Sequence, residues 1–312
     1  MGGTHGRAGA GSASDLATLV ERRLEALRVH AGPAREGAVE AVHQARVASR
    51  RLREVVPVLG RGLDAITRKP LRRALRDLTR ALGPVRELDV ALGMVEALPL
   101  ETPDAPRLRT AWQRHLAGQR REPVRALRTA LTAERRRTLI RDLERFAAVR
   151  AASDDQTWRD ALARRLADRA GTLREHIVRT GIRYQPGPLH DVRIAAKQLR
   201  YALEITAEAG LARLVVPLRT LKQAQDALGH LHDLDVLLTR LQAVPGAAPG
   251  EALQHAAAAA IAELERESQA LHGQYLRSRQ ALLRVIDTTL AVLVPRVRPS
   301  PPPRSRKAPH AR

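Results

Sequence analysis

The segment Val42-His43-Gln44-Ala45-Arg46-Val47-Ala48-Ser49-Arg50-Arg51-Leu52-Arg53 returns far downstream as Leu189-His190-Asp191-Val192-Arg193-Ile194-Ala195-Ala196-Lys197-Gln198-Leu199-Arg200. A second correspondence keeps almost the same offset. Leu75-Arg76 through Ala81-Leu82-Gly83 and on to Glu87-Leu88-Asp89-Val90 matches Leu221-Lys222 through Ala227-Leu228-Gly229 and Asp233-Leu234-Asp235-Val236. The chain therefore holds two related halves, each beginning with a helix ahead of the His-containing one. Two helical bundles related by a pseudo-twofold axis are the simplest arrangement of such a repeat.

Placed on a helical wheel at about 100° per residue, His43, Arg46, Arg50 and Arg53 fall within an arc of roughly 80°. The apolar residues Val42, Ala45, Ser49, Leu52 and Val56 occupy the adjacent arc, so the His/Arg stripe borders the core and still reaches out of it. His190, Arg193, Lys197 and Arg200 repeat that geometry beside Leu189, Val192, Ala196, Leu199 and Leu203. The next helix adds a shorter row, Arg73 and Arg76 in the first half and Arg219 and Lys222 in the second.

Outward from these segments, apolar residues recur at three and four along the whole chain, with no alternating strand pattern. Leu16, Leu19, Val20, Leu24 and Leu27 form one stripe, with Ser14 or Asp15 as its start signal and Gly32-Pro33 as its stop. The His-containing helix ends at Gly60 to Gly62. Further helices are predicted near 69–82, 85–98, 107–130, 134–149, 156–179, 189–209, 213–228, 231–242, 251–275 and 276–293, with Pro57, Pro123 and Pro217 as places to kink or divide them. Gly83 and Gly229 read as helix ends. The fold class is all-α, with short loops and antiparallel neighbours. Residues 1–13 read as a disordered N-terminus, 14–150 and 151–295 as the two helical halves, and 296–312 as a disordered, basic, Pro-rich tail.

Composition narrows the function. The 312 residues carry 54 Lys+Arg against 33 Asp+Glu, a net charge of +21, which points to a polyanionic partner. Six cations lie in 296–312 and one, Arg7, in the first thirteen residues, so +14 remains for residues 14–295. Only Lys69, Lys197, Lys222 and Lys307 are lysines, and arginine dominance of that kind often reflects GC-rich coding, so position matters more than the total. Cysteine is absent, which excludes a disulfide framework and thiolate metal sites. Aromatics make up 2% of the chain, too few platforms for stacked-base recognition of single strands. No signal peptide, myristoylation motif or membrane span is visible, and a cytoplasmic protein is the expectation.

Like charges three and four apart on a helix repel by a few tenths of a kcal/mol per pair. The first-rank rows nevertheless contain no acid in either half, although Glu54, Asp191 and Glu204 stand next to them. A polyanion lying along the rows would relieve the repulsion. Arginine's planar fork takes two phosphate oxygens and lysine supplies a tolerant point charge, so a repeating phosphate chain needs little else. A histidine between arginines is uncharged at neutral pH, and bound phosphate favours its protonated form, so His43 and His190 are expected to strengthen binding as pH falls. They either contact phosphate or position the neighbouring arginine.

The His-x-x-Arg-x-x-x-Arg/Lys-x-x-Arg helix, present twice and each time followed by Leu-Gly-x-x-x-Asp/Glu-x-Asp-Val, resembles the CHAD domain, the conserved histidine α-helical domain, over about residues 14–294. Leu199-Arg200-Tyr201-Ala202-Leu203-Glu204 closely resembles the second-half signature of that family. The resemblance implies two four-helix bundles facing one another across a basic cleft or pore that binds inorganic polyphosphate, and association with polyphosphate granules. Carried across, the binding surface comprises His43, Arg46, Arg50, Arg53, His190, Arg193, Lys197 and Arg200, with Arg73, Arg76, Arg219 and Lys222 as a second rank. Gln198 stands where the first half has Arg51, and Asp226 where it has Arg80, so the two sides are not equally basic. The Glu-x-Glu-x-Lys strand of the CYTH triphosphate domain, to which some members are fused, is not seen near the N-terminus.

His230, His232, Asp233 and Asp235 have metal-ligand character. Their first-half equivalents are Pro84, Arg86, Glu87 and Asp89, so only the acids recur, and a structural role, holding arginines of the adjacent helix or serving a helix start, is the better reading. No nucleophile, base and orienting group can be assembled, so the expectation is a binding protein without enzyme activity, cofactor or metal. Nucleic acid is the alternative partner, since the same charge would attract it, but no groove-reading motif is present; an accessory to a polyphosphate-processing enzyme is the further alternative.

Overall fold

The computed structural model describes residues 13–62, 65–99, 103–153, 156–242 and 251–297, and these contain helices and no strand. In order they form α1 (Ala13–Arg35), α2 (Val39–Leu59), α3 (Ala65–Ala97), α4 (Ala105–Ala130), α5 (Ala133–Ala151), α6 (Thr157–Thr180), α7 (Pro186–Glu208), α8 (Val215–Gln242) and α9 (Glu251–Thr288). A π-helical turn, Thr289–Leu293, and a short α10, Val294–Val297, complete them. Residues 1–12 and 298–312, most of the expected disordered ends, lie outside the described residues. Of the expected tail, Arg296 and Val297 are described and belong to α10, where Val297 is buried.

Several predicted breaks are absent. The segments 69–82 and 85–98 are one helix, α3, with Gly83 and Pro84 in its interior, and Gly229 lies well inside α8. Proline within a helix costs about 3 kcal/mol. Beyond it α3 buries Val85 and Leu88 in continuation of the stripe Leu71, Leu75, Leu78 and Leu82, and each such side chain contributes roughly 1.5–3 kcal/mol. Packing outweighs the breaker. The segments 251–275 and 276–293 likewise merge, since Leu264, Ser268, His272, Tyr275, Leu282 and Ile286 keep one buried face through α9 and on toward the π turn. Gly32-Pro33 does not stop α1, which begins at Ala13 and runs on to Arg35. The stop is Gly37, whose φ of 86° only glycine adopts without strain. Pro57 and Pro123 sit inside continuous helices, and Pro217 falls in the first turn of α8.

Consecutive helices pack as antiparallel neighbours: α1 on α2, α2 on α3, α3 on α4, with α5 against α1 and α3. In the second half α6 packs on α7, α7 on α8 and α8 on α9. The apolar core runs through both halves. One cluster joins Leu24, Leu52 and Leu75 with Leu166, Leu199 and Leu228. A second, smaller cluster joins Leu88, Val95 and Trp112 with Leu234, Leu237, Ala256 and Ala260, where the alanine run of α9 permits close approach.

Ion pairs link the halves as well. Glu54 on α2 accepts from Arg165 Nε at 2.6 Å and Arg169 Nη2 at 3.4 Å on α6. Arg23 on α1 holds Glu208 on α7 at 2.6 Å, and Arg51 lies 3.3 Å from Glu204. The halves are therefore fixed relative to one another, which is what a site built from both of them requires.

Candidate functional site

The two helices that carry the repeat, α2 and α7, lie against each other, and so do α3 and α8. Their cationic rows meet. Arg46, Arg50, Arg193 and Lys197 are all half-buried and close enough to act on one another across the boundary between the halves. Burial, then Arg50 and Arg193, brings the Arg46 guanidinium down to about 10. Burial, then Arg193 and Arg50, brings the Lys197 amine down to about 7, with Asp233 partly opposing and Arg46 adding to the effect. Arg193 is lowered by burial and by Arg50, against Asp233. Farther along α2, burial lowers Arg53, Glu54 opposes, and Arg50, Arg76 and Arg80 lower it further. Among the described residues none of Arg46, Arg50, Arg53, Arg76, Arg193 and Lys197 has a carboxylate within ion-pair distance.

Each row is seated by the next helix. Arg46 Nη1 donates to the Thr79 carbonyl at 3.1 Å, and the guanidinium lies over Gly83, where a Cβ would stand 3.2 Å from Nη1. Ser49 Oγ donates to the Arg46 carbonyl at 3.0 Å and accepts from Thr79 Oγ1 at 3.1 Å. In the second half the equivalent positions meet differently, with Gln225 Nε2 donating to the Ala196 carbonyl at 3.0 Å. Gly229 faces open space. This difference predicts opposite outcomes for two similar substitutions. Gly229→Ala should raise stability by about 0.5–1 kcal/mol through helix propensity alone. Gly83→Ala should show little net gain, because the new methyl displaces Arg46 from its carbonyl and forfeits about 1 kcal/mol. Urea unfolding of the two variants checks this; equal gains at both sites would remove Gly83 as a seat for Arg46.

The histidines stand at the head of the rows, each facing the same position of the following helix: His43 faces Arg86, and His190 faces His232. Burial, then Arg86, lowers His43; burial, then Arg193, lowers His190. His190 Nδ1 lies 3.4 Å from Arg193 Nη2 and 3.2 Å from His232 Nδ1. Since arginine only donates, His190 Nδ1 is the acceptor and the His232 Nδ1–H the donor, an arrangement of two neutral imidazoles. His232 is pushed down to about 3 by burial, Arg193, His190 and Lys197. In this half the repeated histidine contacts its arginine. The recurring acids act on the rows only through their field, Glu87 on Arg46 and Asp233 on Arg193 and Lys197.

Residues 18–242 match the family model of the CHAD domain. The chain belongs to the CHAD family. The match takes in both copies of the row, and both following helices, and ends with α8. The fold is similar to that of the CHAD domain from the plant Ricinus communis, at 25% identity and a TM-score of 0.59, covering 87% of this chain and 97% of that one. It is also similar to PptA from Streptomyces chartreusis, at 18% identity and a TM-score of 0.59, covering 86% and 99%, a likeness of fold. Among curated proteins no match was found.

The remaining residues of the predicted CHAD surface are less free. Arg200 lies 3.5 Å from Glu204 and over the ring of Tyr201 at 5.5 Å, while Arg50 lies over the same ring at 5.9 Å. In the second rank Lys222 pairs with Asp226 at 2.6 Å and Arg73 with Asp77 at 4.0 Å. Arg219 is exposed on the first turns of α8. The additional first-half arginine, Arg51, shares Glu204 with Arg200, so that one carboxylate stands between the two guanidinium groups.

A cleft of about 550 Å³ opens beside His190 where the halves meet, lined also by Glu87, Gln119, His232, Asp235 and Arg240. Arg240 crosses the boundary to bond Glu87 and, at 2.8 Å, Gln119. The metal-like quartet of the sequence is dispersed: His230 bonds Glu267 at 2.7 Å, His232 turns to His190, Asp235 accepts from Tyr184, and Asp233 faces the cations. Asp89 holds Arg120 of the adjacent helix at 2.6 Å, one of the two structural roles expected for these acids, while none of them serves a helix start, because α3 and α8 run on through their positions. Among the described residues no three His, Asp or Glu side chains are grouped as a metal site, and no helix is long and apolar enough to cross a membrane.

Proposed function

We propose that this CHAD protein is a non-enzymatic binding module for inorganic polyphosphate, acting in cytoplasmic storage, granule association or recruitment. The observation that carries the reading is the convergence of Arg46, Arg50, Arg193 and Lys197 from two helices, without a carboxylate in ion-pair distance, where α2 packs against α7. Four cations held close together in a half-buried place repel one another. A chain of phosphates, one charge or more per repeat, answers that repulsion along the direction of the rows, with Arg53, Arg76 and the second rank extending the track.

Nucleic acid offers the same charge, so the test is a competition. Long-chain polyphosphate and single- or double-stranded nucleic acid of matched total charge are titrated against one labelled probe. Polyphosphate should displace the probe at the lower concentration; preference for nucleic acid would replace this reading. Release of phosphate from polyphosphate under any common divalent metal would make the protein an enzyme instead.

Binding should also depend on pH. Lys197 titrates near 7 in the free protein, and bound phosphate raises that value, so above pH 7 binding must take up a proton. Affinity is therefore highest below pH 7 and falls as pH rises, by about tenfold between 7 and 8.5. The histidines, already lowered by burial and neighbouring cations, add to binding only on the acid side. Lys197→Arg, which stays charged, should flatten the profile between 7 and 8.5; an unchanged profile in that variant would assign the dependence elsewhere.

A further inference from the structure

We propose that Lys197 is a site of covalent acylation by small acyl phosphates, a modification that weakens the polyanion site. The inference rests on reading the rows as a phosphate site and adds a reagent class and a regulatory consequence to it. Lys197 is unusual for this protein. In a chain with only four lysines, one stands where the first half of the repeat has Arg50, wedged among three arginines of the site. It is the one cation of that cluster able to lose its proton and act as a nucleophile.

The surroundings suit that role. Arg193 and His190 face Lys197 from its own helix, Arg46 and Arg50 from α2, and Asp233 and His232 from α8. The side chain is half-buried, its Nζ makes no hydrogen bond within the protein, and it is not among the nitrogens sealed from solvent. Burial and the adjacent guanidinium groups favour the neutral amine, the means by which proteins activate lysine nucleophiles. The other described lysines differ: Lys69 is exposed and Lys222 is held by Asp226 at 2.6 Å.

An acyl phosphate presents both features the place recognises. Its phosphate is an anion for Arg46, Arg50 and Arg193, and its carbonyl is an electrophile for the amine. The neutral Nζ attacks the carbonyl carbon, the N–C bond forms, and the C–O bond to phosphate breaks. Inorganic phosphate leaves carrying the proton given up by nitrogen, so no other reactant is needed. The product amide carries no charge, and the cluster loses its central cation.

The experiment incubates the full chain at pH 7.5 with acetyl phosphate and, separately, with an uncharged acetylating ester, following acetylation of each lysine by peptide mass spectrometry. With acetyl phosphate Lys197 should react at least about tenfold faster than Lys69, Lys222 or Lys307. Added polyphosphate should protect Lys197 alone, and Arg50→Gln with Arg193→Gln should slow it with acetyl phosphate more than with the ester. Equal rates at all four lysines would overturn the inference. Polyphosphate binding by the unmodified protein is measured in parallel: binding without selective acylation removes only this inference, and absence of binding removes the proposed function. The protein acetylated at Lys197 should bind polyphosphate about tenfold more weakly, as should Lys197→Gln.

Discussion

Replacing Arg46, Arg50, Arg193 and Lys197 together with glutamate should weaken long-chain polyphosphate binding from submicromolar affinity by at least about 1000-fold. Each charge-assisted contact to phosphate is worth about 1.5–3 kcal/mol, so loss of even two accounts for that factor, and reversed charges then repel the ligand. The variant should stay folded. None of the four residues gives up an ion pair, and the buried stripe of Val42, Ala45, Leu52, Val192, Ala196 and Leu199 beneath them is untouched. Four carboxylates in the same half-buried place repel one another in turn, and Arg46→Glu gives up the bond to the Thr79 carbonyl, so the melting temperature should fall while the fold is kept. Calorimetric titration with circular dichroism as the folding control checks both statements. Equal affinity in the folded variant would show that the phosphate lies elsewhere.

Salt should act almost as strongly. If Arg46, Arg50, Arg53, Arg76, Arg193 and Lys197 each neutralise a phosphate and release its counterion, log affinity falls with log salt at a slope of about −5. Raising sodium chloride from 50 to 200 mM then costs about 1000-fold in affinity. Single removal of an unpaired cation such as Arg50 should reduce the slope by about one, whereas removal of Lys222, already engaged by Asp226, should change it less. A slope near zero would mean that polyphosphate is held by something other than the rows.

The rows themselves were legible in the sequence because helical periodicity alone puts His43, Arg46, Arg50 and Arg53 on one face, and the repeat doubles the evidence. Their partners were partly legible too. Asp77, Asp226 and Glu204 stand four residues after Arg73, Lys222 and Arg200, the spacing at which helix side chains meet, and each of those cations is paired. What local pattern could not provide was the meeting of Arg50 with Lys197, which depends on α2 packing against α7 across a large sequence separation. The contribution of Arg86, His232 and Asp233 was hidden for a related reason. The repeat aligned Arg86 with His232 and Glu87 with Asp233, but only the packing of α3 and α8 turns those positions toward the rows. Gly83 and Pro84 misled the helix boundaries because burial of Val85 and Leu88 outweighs the breaker. Gly83 matters as space for a guanidinium rather than as a stop.

Burial also changed the expected pH chemistry. Histidine is the ordinary titrating group near neutrality, yet burial lowers His43, His190 and His232, and it brings Lys197 down to about 7. The sign for stability follows. Lys197 binds fewer protons in the folded protein than in the unfolded chain between about 7 and 10.5, so its unfavourable contribution is full below 7 and is relieved as pH rises.

A structure of the protein with polyphosphate bound tests the account most directly. Phosphate oxygens should lie within hydrogen-bond distance of Arg46 and Arg50 from one half and of Arg193 and Lys197 from the other, on a single chain that crosses the boundary between α2 and α7. A polyphosphate chain seated on the rows of one half alone, or away from both, would contradict it.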